Sequence, residues 1–244
     1  MIPAFDKIRV IETGPKPASW NMALDEILLN KLGDTPILRI YAWNPSAVSI
    51  GYFQSIQDEV NVENCKQNRI DIVRRMTGGG AVFHESEVTY SFLTKRFPKS
   101  IIESYRWICD GVISGINKLG YQAKFSPLND ITINGKKVSG NAQTRKKDSL
   151  LQHGTILLDA DIERMFSVLK IAPEKIKDKM IDDVRQRITV LSKSFEEAAL
   201  ALEKGFGEKF QAKLTYDPLT FAEESDAEKL AKEKYESVKW NWKK

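Results

Sequence analysis

The chain has 244 residues, 42% of them hydrophobic and 29% charged, and its 37 Lys/Arg against 33 Asp/Glu give a formal net charge of +4. That size and balance suit one large domain, or one with a small appendage, and do not indicate disorder, and Cys65 and Cys109, without metal-ligand spacing, are poor evidence for a disulfide framework. No apolar run reaches the ~18 residues of a spanning helix, the N-terminus lacks a signal-peptide pattern, and the basic residues lack a nucleic-acid motif, so a cytoplasmic protein without membrane or nucleic-acid partners is expected.

An opening strand is predicted around Ile8–Ile11. It leads through Gly14 and two prolines to a helix near Ser19–Leu32, where Trp20, Leu24, Ile27 and Leu28 share a core face. Ile37–Ala42 and Val48–Phe53 read as strands joined by an Asn44-Pro45 turn, and Asp71–Met76 as a strand whose end reaches Gly78-Gly79-Gly80. Glu87–Thr94 is a further strand candidate. Apolar residues at 101, 105, 108, 112, 116 and 119 make Ile101–Leu119 an amphipathic helix closed by Gly120. Asp130–Ile133 and Lys137–Ser139 flank Asn134-Gly135, the dipeptide best suited to a type I′ hairpin, so Lys137 stands just beyond a tight turn. Ser149–Leu158 is the next strand. The remainder reads as mostly helical, with capping-box patterns from Ser194 to Glu197 and from Thr220 to Glu223. A boundary, if there is one, would fall near Asp159 or Pro173.

The two histidines each fall inside a dense polar motif, Thr77–His84 and Gln152–Leu158. Three successive glycines let backbone approach a ligand and can offer N–H groups to anionic oxygen, although a flexible turn is the simpler reading and the spacing fits no P-loop or dinucleotide fingerprint. Arg74 and Arg75 add guanidinium groups suited to phosphate or carboxylate; strand neighbours alternate faces, so one of them should enter the site. His84 can be a pocket wall or a satisfied structural histidine. Lys136 and Lys137 likewise point to opposite faces, which makes Lys136 a solvent-facing control. Asp130 either recruits Mg²⁺ beside a phosphate or opens its strand with an Asx turn. His153, Gly154 and Thr155 interrupt an otherwise apolar strand; buried polar groups left unsatisfied cost ~1–3 kcal/mol, so a ligand is a natural partner.

The segments Thr77–His84, with Arg74 and Arg75 just ahead of it, Asn129–Gln143 and Gln152–Leu158 resemble the lipoate–protein ligase and octanoyltransferase family, related in fold to biotin–protein ligases. So do Asn21-Met22-Ala23-Leu24-Asp25-Glu26, Gly51-Tyr52-Phe53-Gln54 and the terminal Lys234-Tyr235 and Trp240-Asn241. The resemblance spans most of the chain. It implies an α+β fold, a biotin/lipoate protein ligase-like catalytic domain of mixed, mainly antiparallel sheets flanked by helices, with residues 1–244 as a single domain. It implies that Arg74, Gly78, Gly79, Gly80, Val82, His84, Ser139, Gly140, Ala142, His153, Gly154 and Thr155 bind the acyl substrate. Arg74, Asn129, Asp130, Lys137 and Thr155 would hold the nucleotide, with Mg²⁺ at Asp130. Analogy with the family favours Arg74 over Arg75. Lys137 would be catalytic, contacting both acyl carbonyl and α-phosphate.

Two chemistries share that scaffold. Ligases activate lipoate with ATP through lipoyl-adenylate, whereas octanoyltransferases take octanoate from acyl carrier protein and hold it on a cysteine. The stretches around His84–Ser91 and Ala142–Arg145 look like the transferase side. However, neither place where transferases carry their cysteine has one here: the first reads Lys124-Phe125-Ser126-Pro127-Leu128-Asn129-Asp130, and no cysteine follows Cys109. Covalent thioester chemistry needs a placed thiolate, so ligation is the expected activity. Its substrate would be lipoic acid, or octanoate, and its acceptors apo lipoyl domains of 2-oxoacid dehydrogenase acyltransferase subunits or the glycine-cleavage H protein; octanoyltransferase or lipoyl amidotransferase activity is the alternative. Against the ligase pattern, Glu85 stands where aspartate usually follows the histidine. The accessory C-terminal domain of long ligases is also absent, which raises the expectation of a separate small accessory subunit. A non-catalytic lipoyl-domain binder is the third reading, disfavoured by Lys137, both arginines and both histidines.

Overall fold

The computed structural model describes residues 5–170 and 177–243. In chain order these form β1 (Lys7–Lys16), α1 (Ala18–Asn30), β2 (Ile37–Trp43), β3 (Ala47–Ile50), α2 (Ile56–Glu59), α3 (Val62–Gln67), β4 (Asp71–Arg74), β5 (Val82–His84) and β6 (Glu87–Thr94). There follow α4 (Ile101–Lys118), β7 (Ala123–Ser126), β8 (Asp130–Ile133), β9 (Lys136–Lys146), β10 (Ser149–Leu157), α5 (Ile162–Val168) and α6 (Lys177–Arg187). The C-terminal part holds α7 (Phe195–Phe210), β11 (Lys213–Thr215), α8 (Phe221–Leu230), a π-helical turn at Ala231–Tyr235 and α9 (Val238–Asn241). Among the described residues no helix is long and apolar enough to cross a membrane.

Eight strands make one sheet in the order β11-β1-β2-β6-β10-β9-β8-β7, and β4-β3-β5 make a second. In the large sheet pairing is antiparallel from β2 through β7 and parallel where β1 meets β2 and β11; in the small one β3 runs parallel to β4 and antiparallel to β5, so the expected mixed, mainly antiparallel α+β architecture is present. Side-chain alternation divides the large sheet's residues between two cores. Leu38, Ile40, Phe92 and Leu150 face Ile108, Val112 and Phe206 of α4 and α7. Ile37, Leu93 and Leu151 face Leu24 and Leu28 of α1 and Ala227 of α8. Polar residues on this second face, Arg39, Ser91 and His153, are buried between sheet and helix. They form the floor of the site.

Local chemistry sets the element ends. Asn134 and Gly135 adopt φ of 51° and 78°, as the hairpin between β8 and β9 requires. Both expected capping boxes form, at Ser194/Glu197 and Thr220/Glu223. The strand expected over Val48–Phe53 ends at Ile50, because the backbone at Gly51 lies against the glycine loop: a Cβ there would sit 2.0 Å from the Gly79 carbonyl oxygen. β1 runs on to Lys16 through a register shift between Glu12 and Gly14, and β9 extends well past Ser139. β5, β7 and β11 went unforeseen, being three or four residues long with no room for a periodic pattern. Pro173 lies outside the described residues.

Candidate active site

Two carboxylate–imidazole–hydroxyl chains underlie the site. In the first, Arg39 donates from Nη1 to Asp25 Oδ1 at 2.7 Å and from Nη2 to Asn21 Oδ1 at 2.5 Å. Asp25 Oδ2 accepts from Ser91 Oγ at 2.7 Å and lies 3.4 Å from His153 Nδ1. Burial alone would push the Asp25 carboxyl up, but Arg39 and His153 outweigh it and hold the carboxyl below its ordinary range. Burial pulls His153 below the ordinary imidazole range, so the ring is neutral near pH 7. With the carboxylate on Nδ1, Nε2 accepts from the Thr77 hydroxyl at 2.8 Å. In the second chain, Glu87 Oε1 lies 2.5 Å from His84 Nδ1, and Ser49 Oγ is hydrogen-bonded to His84 Nε2 at 2.6 Å. Trp43 stacks on the His84 ring at 3.9 Å and 17°, fixing its plane.

Arg75 completes the second chain. It donates to Ser49 Oγ at 2.7 Å and to the carbonyls of Ser49, Gly78 and Gly80 at 2.8, 3.0 and 2.9 Å. Burial pushes its guanidinium down to about 10. These acceptors shape the glycine loop around a cation that the structure pairs with no carboxylate among the described residues. Of the two arginines, Arg75 lines the cavity, and Arg74, which analogy with the family favoured, does not. Arg74 points the other way, donating to the carbonyls of Gly51, Tyr52, Gln54, Trp240, Asn241 and Lys243. Its own N–H and C=O are bonded by Asn241 Oδ1 and Trp240 Nε1. The α9 segment, 167 residues along the chain, supplies the acceptors that turn Arg74 into a clamp.

The rim is built on the hairpin. Lys137 Nζ lies 2.8 Å from Asp130 Oδ1, with the two side chains 45% and 32% exposed. A register shift between Ile131 and Thr132 bends β9 here, and the Lys137 carbonyl accepts from Thr189 N at 2.8 Å. Asn129 and Asn141 each donate a side-chain amide to the other's backbone carbonyl, and the Asn141 N–H donates to the Asn129 carbonyl as well, holding the turn before β8 against β9. Lys136 is exposed, as the alternation demanded. Among the described residues no group of three His, Cys, Asp or Glu could hold a metal. Asp130 is a lone carboxylate paired to an ammonium, so the donor set does not fit a resident Mg²⁺.

These elements surround a cavity of about 340 Å³, a size that suits a small ligand. Of the expected residues, Gly79, Gly80, Val82 and His84 line it from the loop and β5; Asn129, Lys137, Ser139, Gly140 and Ala142 from the hairpin; and His153, Gly154 and Thr155 from β10. Three do not line it. Arg74 is turned away, Gly78 lines an outer furrow, and Asp130 reaches the cavity only through Lys137. Residues without an expected role that do line it include Arg75, Trp43, Ser49, Glu87 and Thr89. A signal for the last two was legible: Glu87, Thr89 and Ser91 alternate with apolar residues in a strand every residue of which is buried. Ile162, Met165, Val184 and Ile188 of α5, α6 and the turn beyond form an apolar cover.

Neither cysteine lines this cavity. Cys65 packs among Val48, Ile50 and Ile70, and Cys109 among the α4–α7 core. Burial pushes their thiols up to about 11 and about 12, so neither holds a thiolate near neutral pH.

Residues 17–206 match the lipoyl protein ligase A/B catalytic domain. The chain is 35% identical to an octanoyltransferase LipM of Halalkalibacterium halodurans, over 97% of this chain and 99% of that protein. It is 36% identical to an octanoyltransferase LipM of Geobacillus kaustophilus, over 96% and 98% respectively. A solved chain from an archaeal lipoylation system, a bi-partite lipoate protein ligase and its E2 lipoyl domain from Thermoplasma acidophilum, superposes with a TM-score of 0.90 and 32% identity over 98% of this chain and 97% of that one. Lipoate-protein ligase A bound with ATP gives 0.85 and 30%, over 98% of both chains.

Proposed function

The chain belongs to the lipoyl protein ligase A/B catalytic domain family, and from that premise we propose that it joins a lipoyl-type acyl group to a lysine of a lipoyl domain, using an acyl-adenylate made from the free acid and ATP. The observation that carries the choice of donor is the absence of a thiol from the cavity, with both cysteines buried elsewhere, while the Lys137 ammonium stands at the cavity's rim. A covalent thioester route would need a thiolate within reach of the acyl carbonyl.

On this reading the acyl chain lies in the cavity against Val82, Leu157 and the apolar cover, with its carboxylate toward Lys137. A carboxylate oxygen attacks the α-phosphorus of ATP; the P–O bond to pyrophosphate breaks and that bond's electron pair leaves with it. Lys137 offsets the charge that builds on the phosphoryl oxygens. The acceptor lysine's neutral amine then attacks the acyl carbon, negative charge develops on the carbonyl oxygen beside the same ammonium, AMP leaves with the C–O electrons, and the nitrogen gives up its proton to solvent to leave a neutral amide. Arg75 adds a fixed positive field from the floor, the neutral His153 anchors Thr77 without adding charge, and His84 holds Ser49 in place. The apolar cover excludes water that would hydrolyse the adenylate.

The names of the curated relatives favour a second reading, in which octanoyl groups are taken from acyl carrier protein. One experiment separates the two: supply apo lipoyl domain with lipoate plus ATP, or with octanoyl acyl carrier protein and no ATP, and read the acceptor's mass. Modification only with ATP is expected. Modification only with the thioester would replace the first reading with the second.

A further inference from the structure

On the outer side of the glycine loop lies a furrow lined by Tyr52, Phe53, Gly78, Ile101, Tyr105 and Arg145. Gly78 lines this furrow while Gly79 and Gly80 line the acyl cavity, so a single stretch of loop backbone separates the two. Phe53 is 90% exposed and Ile101 63%; adjoining large apolar side chains left to solvent mark a contact surface. Arg145 lines the furrow and further basic residues adjoin it along the chain, Lys146 Nζ among them bonded to Asn30 Oδ1 at 2.7 Å. The connection from β6 to α4 carries Lys95, Arg96 and Lys99, and the β9–β10 hairpin carries Arg145, Lys146 and Lys147; across residues 95–100 and 145–148 there are six cations and one acid, Asp148. Those two short stretches hold more positive charge than the chain's net +4.

The edge is rigid. Arg145 donates to the Lys99 carbonyl at 2.6 Å and to Ser104 Oγ at 2.9 Å, tying the hairpin to the start of α4. Gln143, also in the furrow, donates from its backbone to Tyr105 Oη at 2.9 Å. Its side chain begins a buried series through Gln152 (2.7 Å), Tyr90 (2.5 Å) and Asn141 (2.7 Å), the last of which lines the acyl cavity. Furrow and cavity are therefore parts of one fixed frame.

We propose that this furrow and its cationic border dock the acyl-accepting protein domain, through a face that is acidic and offers an apolar side chain to Phe53 and Ile101. The proposal rests on the reading that a protein lysine is the acceptor. Charge complementarity selects an acidic partner, and the exposed apolar lining selects a protein over a nucleic acid. The shared loop wall selects the acceptor over an acyl carrier, because the lysine must reach the carbonyl while its domain stays outside.

The test uses preformed lipoyl-adenylate as donor and two variants outside the cavity, the triple Lys99→Glu, Lys146→Glu, Lys147→Glu and the single Phe53→Ser. With apo lipoyl domain as acceptor, the KM for the domain should rise about tenfold or more in the triple variant at low salt, with the difference shrinking as salt is added. Phe53→Ser should raise it at all salt concentrations. With hydroxylamine as a small acceptor, both variants should match the parent. An unchanged KM for the domain in both variants would overturn the proposal, as would equal losses with hydroxylamine. A KM shift confined to octanoyl acyl carrier protein would overturn it by assigning the surface to the donor. If the parent itself transfers nothing from the adenylate, titration calorimetry with the apo domain still decides: binding by the parent that the triple variant loses supports docking, and no binding by the parent refutes it.

Discussion

The floor and the rim of the cavity hold their charges in opposite ways. On the floor, Arg39 and Asp25 are buried and locked into a lattice that includes Asn21, Ser91 and His153, and Arg75 is caged by loop carbonyls. At the rim, Lys137 and Asp130 are paired but partly solvated, on a hairpin that bends at a register shift. Buried polar groups must be fully satisfied to be tolerated, and satisfaction makes them rigid. A half-exposed ammonium is free to exchange a carboxylate for a phosphoryl or carbonyl oxygen. The floor thus sets the shape of the site while the rim supplies the charge that follows the reaction.

If that division is right, changes at the rim should cost rate and changes away from it should cost stability. The largest effect is expected at Lys137. Lys137→Ala should lower the rate of transfer from ATP and lipoate by ~10²–10³ with no change in Tm, the usual cost of one transition-state donor. Lys136→Ala, one residue away and exposed, should stay near the parental rate; similar losses at both lysines, measured at matched stability, would remove the distinction.

Next comes Arg74, which the clamp takes out of the chemistry. Arg74→Ala leaves the Gly51, Tyr52 and Gln54 carbonyls and those of the α9 segment without their charged donor, and should cost roughly 2–3 kcal/mol in urea denaturation. The folded fraction should keep its KM for lipoate. A raised KM with unaltered stability would return Arg74 to the substrate.

Gly140 sharpens the rim further. A Cβ there would lie 3.0 Å from Lys137 Nζ and 3.1 Å from Cε, so Gly140→Ala should move the ammonium aside rather than distort backbone. Turnover should fall about tenfold or more at unchanged Tm, since small misplacement of a catalytic group is costly. Full activity would mean that Lys137 does not work from the position it occupies.

The smallest effect is on pH-dependent stability, and it belongs to the floor. His153 is held below the ordinary value of 6.5, so as pH falls through that value the unfolded chain takes up a proton that the folded chain refuses. Stability is therefore lost on acidification, beginning near pH 6.5. Asp25, also depressed, adds its own loss only below its ordinary 3.8. Tm followed from pH 7.5 to 5 should decline; a rise would mean that the imidazole is charged in the folded protein.

Much of the rim was readable from the sequence because its signals are local. Asn134-Gly135 fixes a hairpin by its own conformational preference, and that turn places Lys137; three glycines mark their loop without help from elsewhere. The floor was only partly readable. Asn21 and Asp25 stood in a recognisable motif but acquire a role only when β2 brings Arg39 and β10 brings His153 to the same face of the large sheet. Ser49 looked like an ordinary strand residue, and Trp43 lay just past the strand expected over Ile37–Ala42, until pairing of β3 with β5 brought His84 against both. The choice between Arg74 and Arg75 was beyond local reasoning, because the group that captures Arg74 arrives from α9 at the far end of the chain.

The central claim, an adenylate donor without an enzyme-bound thioester, is tested most directly by lipoate-dependent ATP–pyrophosphate exchange in the Cys65→Ala, Cys109→Ala double variant, alongside the intact mass of the parent after exposure to octanoyl acyl carrier protein. Both thiols are buried away from the cavity, so the double variant should fold and exchange pyrophosphate as the parent does, and the parent should carry no octanoyl adduct. No exchange in either protein, together with an octanoyl adduct on a cysteine of the parent, would contradict the account.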